Sequence, residues 1–347
     1  MIGRYDTEGA AGLSDRSSRP SHSPQATAPR IVDAIVALRR RYPTWGGKKI
    51  LTVLGEKQPT WILPAISTAN DLLTRRGLVA PRRRRRPVGH PGYQPTLALA
   101  PNDIWTTDFK GQFRTRDAQQ CYPLTLCDAF SRYLLTCRGM RAPTAAGAFA
   151  AFRRAFREFG LPTMIRSDNG EPFAAPSLGR LSRLSVWWIR LGIRPDLIEP
   201  ASPYQNGAHE RMHRTLKAET TRPPGADLAG QQRRFARFRR IYNHERPHEG
   251  IDLQPPGRVY TTSPRPFPTR LAEIEYPGHY ERRRVSAEGG ISWSGRRLSV
   301  STVLIGEEVG LEPIDDGLWD LHFGPVRLGR FDEHRHRVQP AGVWRPR

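Results

Sequence analysis

The order of strand-like and helix-like segments after about residue 100 restricts the fold of this 347-residue chain more than any other feature. NDIWTTDFKGQF (102–113) has the composition of a strand, and CYPLTLCDAFSRYLLTCRG (121–139) that of a hairpin turning at DAFS. Residues 143–160 repeat Phe at helical spacing, which predicts an amphipathic helix packed on the sheet. TMIRSD (163–168) is another short strand. This order predicts a mixed α/β sheet, whose ligands gather at strand ends.

Three acidic residues are candidates for chemistry in this region: Asp108 in the first strand, Asp168 at the end of TMIRSD, and Glu210 in the predicted helix HERMHRTLKAE. Carboxylates are the ligands that Mg²⁺ prefers. Two such ions about 4 Å apart can activate an attacking oxygen and stabilise a leaving one in phosphodiester chemistry. The pattern favours a site for two Mg²⁺ or Mn²⁺ ions.

The charge favours a nucleic-acid partner, because 55 Lys+Arg against 33 Asp+Glu give a net charge of +22. An acidic membrane surface would also attract such a chain. No apolar run approaches the roughly 20 residues that span a bilayer, and the first 30 residues lack the apolar region of a secretory signal. The three cysteines form no CxxC pair, so neither disulfides nor structural zinc are expected. We expect a cytoplasmic, nucleoid-associated protein with no membrane partner.

Residues 31–80 predict a helix-turn-helix domain. IVDAIVALRRRY has apolar residues at helical spacing, PTWGG (43–47) interrupts it, and KKILTVLG resumes a helix. PAISTANDLLTRRG (64–77) would be a third helix and ends at a glycine typical of a helix C-cap. If the third helix is the recognition helix, Asn70 or Arg75 would lie near base edges. A three-helix bundle with no DNA function is the alternative, but half of the net positive charge lies in residues 1–91 (17 Lys+Arg, 6 Asp+Glu).

The segments on either side of this domain are predicted to be linkers. Residues 1–30 are expected to be flexible, and 4–20 is similar to the tail of a first helix-turn-helix whose helices would lie upstream of Met1. Residues 81–98 form a basic linker that would follow DNA phosphates through Arg82, Arg83, Arg84, Arg85 and Arg86. A merely solvated linker is the alternative.

Glu210 has a catalytic and a structural interpretation. Lys217 lies two turns later on the same side of the helix, where it could hold a DNA phosphate beside the carboxylate. Arg214 could instead pair with Glu210 in an ordinary surface salt bridge. Asp168 begins an Asp-Asn-Gly sequence that also forms ordinary turns, and Asp128 lies in a hairpin turn where Asp is favoured structurally. We therefore leave Asp128 out of the candidate site.

The same helix carries a rival motif, because His209-Glu210-Arg211-Met212-His213 matches the H-E-x-x-H pattern of zinc proteases. The extended pattern would need Gly and His where this chain has Leu216 and Glu219, although Glu219 might serve as the third ligand. A protease gives no role to the two upstream aspartates or to the positive charge. The zinc interpretation is therefore the less favoured.

Five motifs in order, TTDFKG, LCDAFSRY, SDNGEPF, SPYQNGAHERMHRTLKAE and YNHERPHEGIDLQPPGRVY, resemble the core of bacterial insertion-sequence transposases of the DDE, retroviral integrase-like superfamily. The resemblance implies a ribonuclease H-like catalytic core at 99–262, with Asp108, Asp168 and Glu210 as a triad binding two ions. It also implies DNA contacts or DNA-facing loops at Asn169, Asn206, Gly207, Arg214 and Lys217, with Gly170 shaping the Asp168 loop.

The activity implied is metal-dependent cleavage and strand transfer on double-stranded DNA, at the element's ends and at the target. Water would free a 3′-hydroxyl, which would then attack the target strand. Because two ends must be joined, the active form would be a homo-oligomer on DNA. A DNA-binding remnant without catalysis is the main alternative function.

The C-terminal part is rich in hairpin signals. Gly289-Gly290, Ser294-Gly295 and Asp315-Asp316-Gly317 separate short strand-like runs, which predicts a small β-barrel at 275–335. Similar transposases use such a module for DNA or subunit contacts, and a purely structural domain is the alternative. Residues 336–347 are expected to be a disordered basic tail.

Overall fold

The computed structural model describes residues 2–15, 26–79, 96–109, 111–198 and 207–341. The chain is divided into two compact units, Met1–Arg83 and Arg84–Arg347. Several predicted DNA contacts, Asn206 and the run Arg82 to Arg86, lie outside the described residues and stay predictions.

The N-terminal unit is entirely helical. Its elements are α1 (Ile2–Glu8), a 3₁₀ turn (Gly9–Leu13), α2 (Pro29–Arg41), α3 (Gly47–Lys57) and α4 (Ile66–Arg75). The helices α2, α3 and α4 confirm the three that the sequence predicted. The prediction of a flexible segment at 1–30 is wrong for residues 2–13, which form α1 and the 3₁₀ turn. Buried Gly12 allows the chain to turn back tightly on α1. A Cβ atom at Gly12 would lie 2.3 Å from the carbonyl oxygen of Arg4.

The three helices α2–α4 enclose a small core of Ile35, Trp45, Ile50 and Leu73. Arg39 fastens the two ends of this bundle, since its guanidinium donates to the carbonyl oxygens of Trp45 and Leu78. The bundle therefore has its own hydrophobic core and is further held together by the hydrogen bonds of Arg39.

The second unit is built on a mixed sheet. Its strands are β1 (Ile104–Phe109), β2 (Phe113–Arg114), β3 (Gln120–Asp128), β4 (Leu134–Met140), β5 (Met164–Ser167) and β6 (Arg194–Leu197). In space the order is β4-β3-β1-β5-β6, with β4, β3 and β1 antiparallel and β1, β5 and β6 parallel. Three antiparallel strands followed by two parallel ones form the sheet of a ribonuclease H-like fold, which confirms the predicted core.

Helices cover both faces of this sheet. They are α5 (Ala145–Phe159), α6 (Arg183–Arg190), α7 (Gly207–Thr220), α8 (Leu228–His244) and the short α9 (Pro256–Val259). Trp105 and Leu124 point to the face where Phe152 and Phe156 of α5 pack with Trp188 of α6. On the opposite face, Cys127 packs with Met212 of α7 and with Phe235 and Phe238 of α8. Side chains alternate along each strand, so neighbouring residues serve the two cores in turn.

Helix α8 also covers the edge of the sheet at β4. The Gln232 side chain accepts from the Gly139 amide at 3.0 Å and donates to the Cys137 carbonyl at 2.9 Å. Asn243 accepts from the Leu134 amide and donates to the Leu134 carbonyl at 2.8 and 3.0 Å. These amides take the place of a further strand and leave β4 less able to pair with another chain.

A β-domain completes the second unit. Its strands are β7 (Glu281–Arg284), β8 (Gly290–Trp293), β9 (Arg296–Ser299), β10 (Glu308–Asp315), β11 (Leu318–Phe323), β12 (Val326–Asp332) and β13 (Arg337–Pro340). Five form an antiparallel sheet in the order β13-β12-β11-β10-β7, and β8 and β9 form a separate hairpin that contacts both edge strands. The predicted tail at 336–347 is wrong for β13, which pairs with β12 over four residues while Val338 packs on the core.

The β-domain shares a hydrophobic core with α6. Val186 and Ile189 pack in the same cluster as Leu304, Leu311 and Phe323. Arg190 of α6 also forms a 2.5 Å ion pair with Glu307. The domain is therefore packed on the catalytic-core region.

Candidate active site

Two of the predicted carboxylates belong to neighbouring strands of the sheet. Asp108 lies in β1, and Asp168 follows Ser167, the last residue of β5. β1 and β5 run parallel, with Thr106 opposite Arg166, two residues before each acid. Adjacent strands are about 4.8 Å apart. The parallel pair thus brings the segments that carry two acids, 60 residues apart in the sequence, to the same end of the sheet.

Each aspartate has a distinct environment. The Asp108 side chain is 25% exposed, and its Oδ2 lies 3.5 Å from Nδ1 of His213. One oxygen of Asp168 accepts a 3.2 Å hydrogen bond from the Gly170 amide, which is the turn contact that the Asp-Asn-Gly sequence predicts. Burial raises the pKa of Asp168, and the Gly170 hydrogen bond opposes that shift. The turn therefore holds the carboxylate in place, but its hydrogen bond does not cancel the effect of burial on the pKa.

Glu210 lies in the first turn of α7, a helix that packs against β1. Its side chain is exposed, as are those of Arg214 and Lys217. At about 100° per residue, Glu210 and Lys217 lie within about 20° of each other around the helix. Among the ion pairs of the described residues, none joins Glu210 to Arg214, so the salt bridge that would have occupied Glu210 is not formed here.

The three carboxylates do not all converge. Within the described residues, no three His, Cys, Asp or Glu side chains are close enough together to hold one metal ion. Asp108 lies in β1 and Asp168 directly follows the neighbouring strand β5, whereas Glu210 lies on the adjoining helix with an exposed side chain. The donor set consists of carboxylate oxygens alone, which suits Mg²⁺ or Mn²⁺.

The inward face of α7 carries the two histidines. Nδ1 of His209 lies 2.8 Å from the Thr106 hydroxyl, and its Nε2 lies 2.7 Å from the Thr125 hydroxyl. Nε2 of His213 lies 2.6 Å from the same Thr125 oxygen. Burial lowers the pKa of His209 to about 3, so this ring is neutral at physiological pH.

Comparison with known families agrees with this architecture. Residues 98–203 and 191–256 match models described as integrase core domain. Residues 280–339 match the IS481 family transposase C-terminal domain, and residues 1–73 match a homeodomain-like domain. The chain therefore carries an integrase core domain and a C-terminal domain of the IS481 transposase type.

Two similar proteins come from insertion elements. An uncharacterized IS407 protein of Burkholderia multivorans is 27% identical over 242 residues, covering 69% of this chain and 82% of the relative. An uncharacterized IS476 protein of Xanthomonas euvesicatoria is 27% identical over 255 residues, covering 72% and 69%. Among solved structures, the HTLV-2 integrase catalytic core domain in complex with magnesium is 17% identical, with a TM-score of 0.38, covering 47% of this chain and 99% of that chain.

The contacts of the two histidines argue against the zinc interpretation of the H-E-x-x-H pattern. Both histidines of the motif are bonded to threonine hydroxyls. Glu219, the candidate third ligand, accepts a 3.1 Å hydrogen bond from buried Arg246. The motif is a chance match to the protease pattern, and its residues serve packing and hydrogen bonding instead.

The excluded carboxylate has a structural role. Asp128 is fully buried and accepts from the amides of Asn102 and Ser131 and from the Ser131 hydroxyl, at 2.6 to 2.8 Å. Burial raises its pKa, and these hydrogen bonds oppose the shift. Asp128 therefore stabilises the β3–β4 turn, as its position in the sequence indicated.

Two predicted DNA contacts have structural partners that the sequence did not indicate. The Asn169 amide donates to the carbonyl of Ile198 at 2.7 Å and so ties the Asp168 loop to the end of β6. The Asn70 oxygen accepts from the Gly47 amide at 3.0 Å and holds α3 against α4. Arg75 is exposed on α4, and Gly207 begins α7. Base or phosphate contacts by these four residues stay predictions.

Sequence reasoning missed Thr106 and Thr125. Thr125 lies directly opposite Asp108 in the antiparallel β1–β3 pair, so both side chains share the face covered by α7. Alternation along NDIWTTDF could have placed Thr106 on the face of Asp108. Nothing local could have placed the Thr125 hydroxyl beside two histidines that are 84 and 88 residues away.

Proposed function

We propose that this chain is a metal-dependent DNA transposase that cleaves the ends of an insertion element and joins them to target DNA. The observation that supports the proposal is the parallel pairing of β1 with β5, because Asp108 lies in β1, Asp168 directly follows β5, and α7 packs against β1. The family matches support an integrase core around this pair.

Asp108, Asp168 and Glu210 are the residues that would hold the metal. Two bound Mg²⁺ or Mn²⁺ ions would supply activation of the attacking oxygen and stabilisation of the leaving oxygen. In the first step the nucleophile is water, which leaves a 3′-hydroxyl at the element's end. In the second step that hydroxyl attacks a target phosphodiester, so no covalent protein intermediate is needed.

The remaining roles belong to basic residues and to the helical unit. Lys217 and Arg214 lie on the flank of α7 that carries Glu210, where they would bind phosphates next to the reacting strand. Helix α4 would bind the element's end through its exposed face. A homo-oligomer assembled on DNA would bring the two ends together, and the protein would act in the cytoplasm at the nucleoid.

The test uses labelled duplexes copied from the ends of the chain's own element, with Mg²⁺ or Mn²⁺ and full-length protein. Wild type is compared with Asp168→Asn, Glu210→Gln and the matched control Glu249→Gln, an exposed carboxylate outside the proposed triad. We expect joined products from wild type and E249Q. The two site variants should lose at least about 100-fold, the upper end of what outer-shell partners of a metal typically contribute.

Binding is measured on the same duplexes. All four proteins should bind them alike, because the substitutions leave the basic surfaces unchanged. If all four proteins bind the duplexes and none of them joins strands, the chain is a DNA-binding remnant. Joining that survives Asp168→Asn would show that the triad is assigned wrongly.

A further inference from the structure

The two histidines of α7 have no task in the reaction proposed above, although both are deeply buried. His209 and His213 are 2% and 3% exposed and stand one helical turn apart. Both present Nε2 to a single oxygen, the Thr125 hydroxyl, at 2.7 and 2.6 Å. One side chain of β3 therefore holds two positions on the helix that carries Glu210.

A count of protons orders these contacts. A hydroxyl has one hydrogen to donate and two lone pairs, and a neutral imidazole has one donor and one acceptor nitrogen. The Thr125 hydroxyl also donates to the backbone carbonyl of Asp108 at 3.1 Å. Its single hydrogen is then used, and its two lone pairs are left to accept from Nε2 of His209 and Nε2 of His213. The Thr106 hydroxyl donates to Nδ1 of His209.

Nδ1 of His213 faces Oδ2 of Asp108 at 3.5 Å. The Thr125 hydroxyl therefore contacts both the backbone of Asp108 and the imidazole that lies beside the Asp108 carboxylate.

The same contacts determine how α7 is rotated. Measured from His209 at about 100° per residue, His213 lies at about 40° and Glu210 at about 100°, while Met212 lies on the other side at about −60°. Met212 packs toward α8, with Phe235 and Phe238. Glu210 therefore lies on the flank next to His213, the residue whose ring lies beside Asp108.

We propose that Thr125 is a positioning residue, whose hydroxyl holds His209 and His213 so that α7 presents Glu210 to the Asp108 end of β1. The inference rests on the proposed function, since it assigns Glu210 and Asp108 to one metal site. It also accounts for both histidines of the H-E-x-x-H pattern as anchors of the helix.

The effect of losing this anchor follows from helix geometry. Side-chain tips lie about 5–6 Å from a helix axis, so a rotation of about 20° moves a tip by about 2 Å. The bond from Mg²⁺ to an oxygen ligand is itself only about 2.0–2.1 Å. A small rotation of α7 is therefore sufficient to remove Glu210 from a shared site.

The experiment compares full-length wild type with Thr125→Val, which keeps the shape and removes the hydroxyl. Thr125→Ser keeps the hydroxyl, and Thr136→Val makes the same change in β4, away from the histidines. The main readout is Mn²⁺ affinity, measured by electron paramagnetic resonance without DNA. Strand joining and duplex binding are measured in parallel.

We expect Thr125→Val to bind Mn²⁺ 10–100-fold more weakly, the loss typical of an outer-shell partner of a metal site, and to lose strand joining by a similar factor. Its affinity for duplex DNA should be unchanged. Thr125→Ser should recover both properties, and Thr136→Val should match wild type. Recovery by serine separates positioning from a general loss of structure.

Equal Mn²⁺ affinity in Thr125→Val and Thr136→Val would overturn the inference, as would a wild type that binds no Mn²⁺. If wild type binds Mn²⁺ more tightly than Thr125→Val but joins no strands, the positioning role stands and the proposed strand transfer falls. If thermal melting shows that Thr125→Val is unfolded, Thr106→Val replaces it. That variant removes the hydroxyl contacts with His209 and with the Cys127 carbonyl, and unchanged Mn²⁺ affinity in it would overturn the inference.

Discussion

At the scale of single residues, two buried aspartates show how the hydrogen-bond partners of a carboxylate set the direction of its pKa shift. Asp128 is held by amide and hydroxyl groups, and burial raises its pKa. Burial also acts on Asp320 in β11, but hydrogen bonds and charge from Arg330 and Arg327 outweigh it and lower the pKa. The guanidinium contacts at Asp320 measure 2.8 to 3.2 Å. Ionised Asp320 is therefore a source of stability for the β-domain.

Replacing Asp320 with Asn should lower the free energy of unfolding at pH 7 by about 1–2 kcal/mol, since the arginines lose a charged acceptor but remain partly solvated. Because the folded pKa lies below the ordinary value of 3.8, this contribution is present above pH 3.8 and disappears as the pH falls through the folded pKa. Urea unfolding from pH 7 to pH 3 measures it, with exposed Asp316→Asn as the control. A difference independent of pH would contradict the assignment.

At the scale of elements, α8 shows how a helix can protect a sheet. Its inward residues Phe235 and Phe238 supply apolar contacts, and Gln232 and Asn243 complete the hydrogen bonds of β4. An uncovered edge would present unpaired amide and carbonyl groups to other chains. The helix therefore contributes to solubility as well as to packing.

Replacing buried Asn243 with Leu should destabilise the second unit by about 2–4 kcal/mol, because the amide and carbonyl of Leu134 would both lose their partner. The variant should also associate more readily through β4. Chemical unfolding and light scattering test both effects. Arg233→Ala, an exposed change on the same helix, should alter neither. Unchanged stability in Asn243→Leu would mean that water can replace the side chain at this edge.

At the scale of the second unit as a whole, the β-domain and α6 share one hydrophobic cluster. Ile189 is 5% exposed at this boundary, and Leu304 on the other side is fully buried. A shared core couples the unfolding of the parts on either side of it. The β-domain should therefore not behave as a separately tethered module.

Ile189→Ala should destabilise the protein by about 2–5 kcal/mol, the usual cost of such a truncation in a core. The change lies in α6, yet it should also speed hydrogen exchange of backbone amides in β10 and β11. Exchange measured by mass spectrometry tests this coupling. Ile314→Ala, at a position 45% exposed in β10, should leave exchange unchanged. Faster exchange confined to α6 would show that the β-domain is stable by itself.

Local pattern was sufficient for much of this fold. Apolar spacing predicted α2, α3, α4 and α5, and alternation with turn signals predicted the β3–β4 hairpin and the strands of the β-domain. Local composition gave the wrong prediction for residues 2–13 and for β13. These polar segments adopt regular structure because they pack against a neighbouring segment. The triad of Asp108, Asp168 and Glu210 came from ordered motifs and stays a prediction.

The sequence by itself determined which residues share a face of a strand or a helix, because those periods are properties of the backbone. Only the tertiary structure decided which element lies opposite. It made His209 and His213 partners of Thr125 rather than of zinc, and it gave Glu219 to Arg246. These contacts join residues far apart in the chain, and their geometry follows from strand register and helix rotation, which no local pattern encodes.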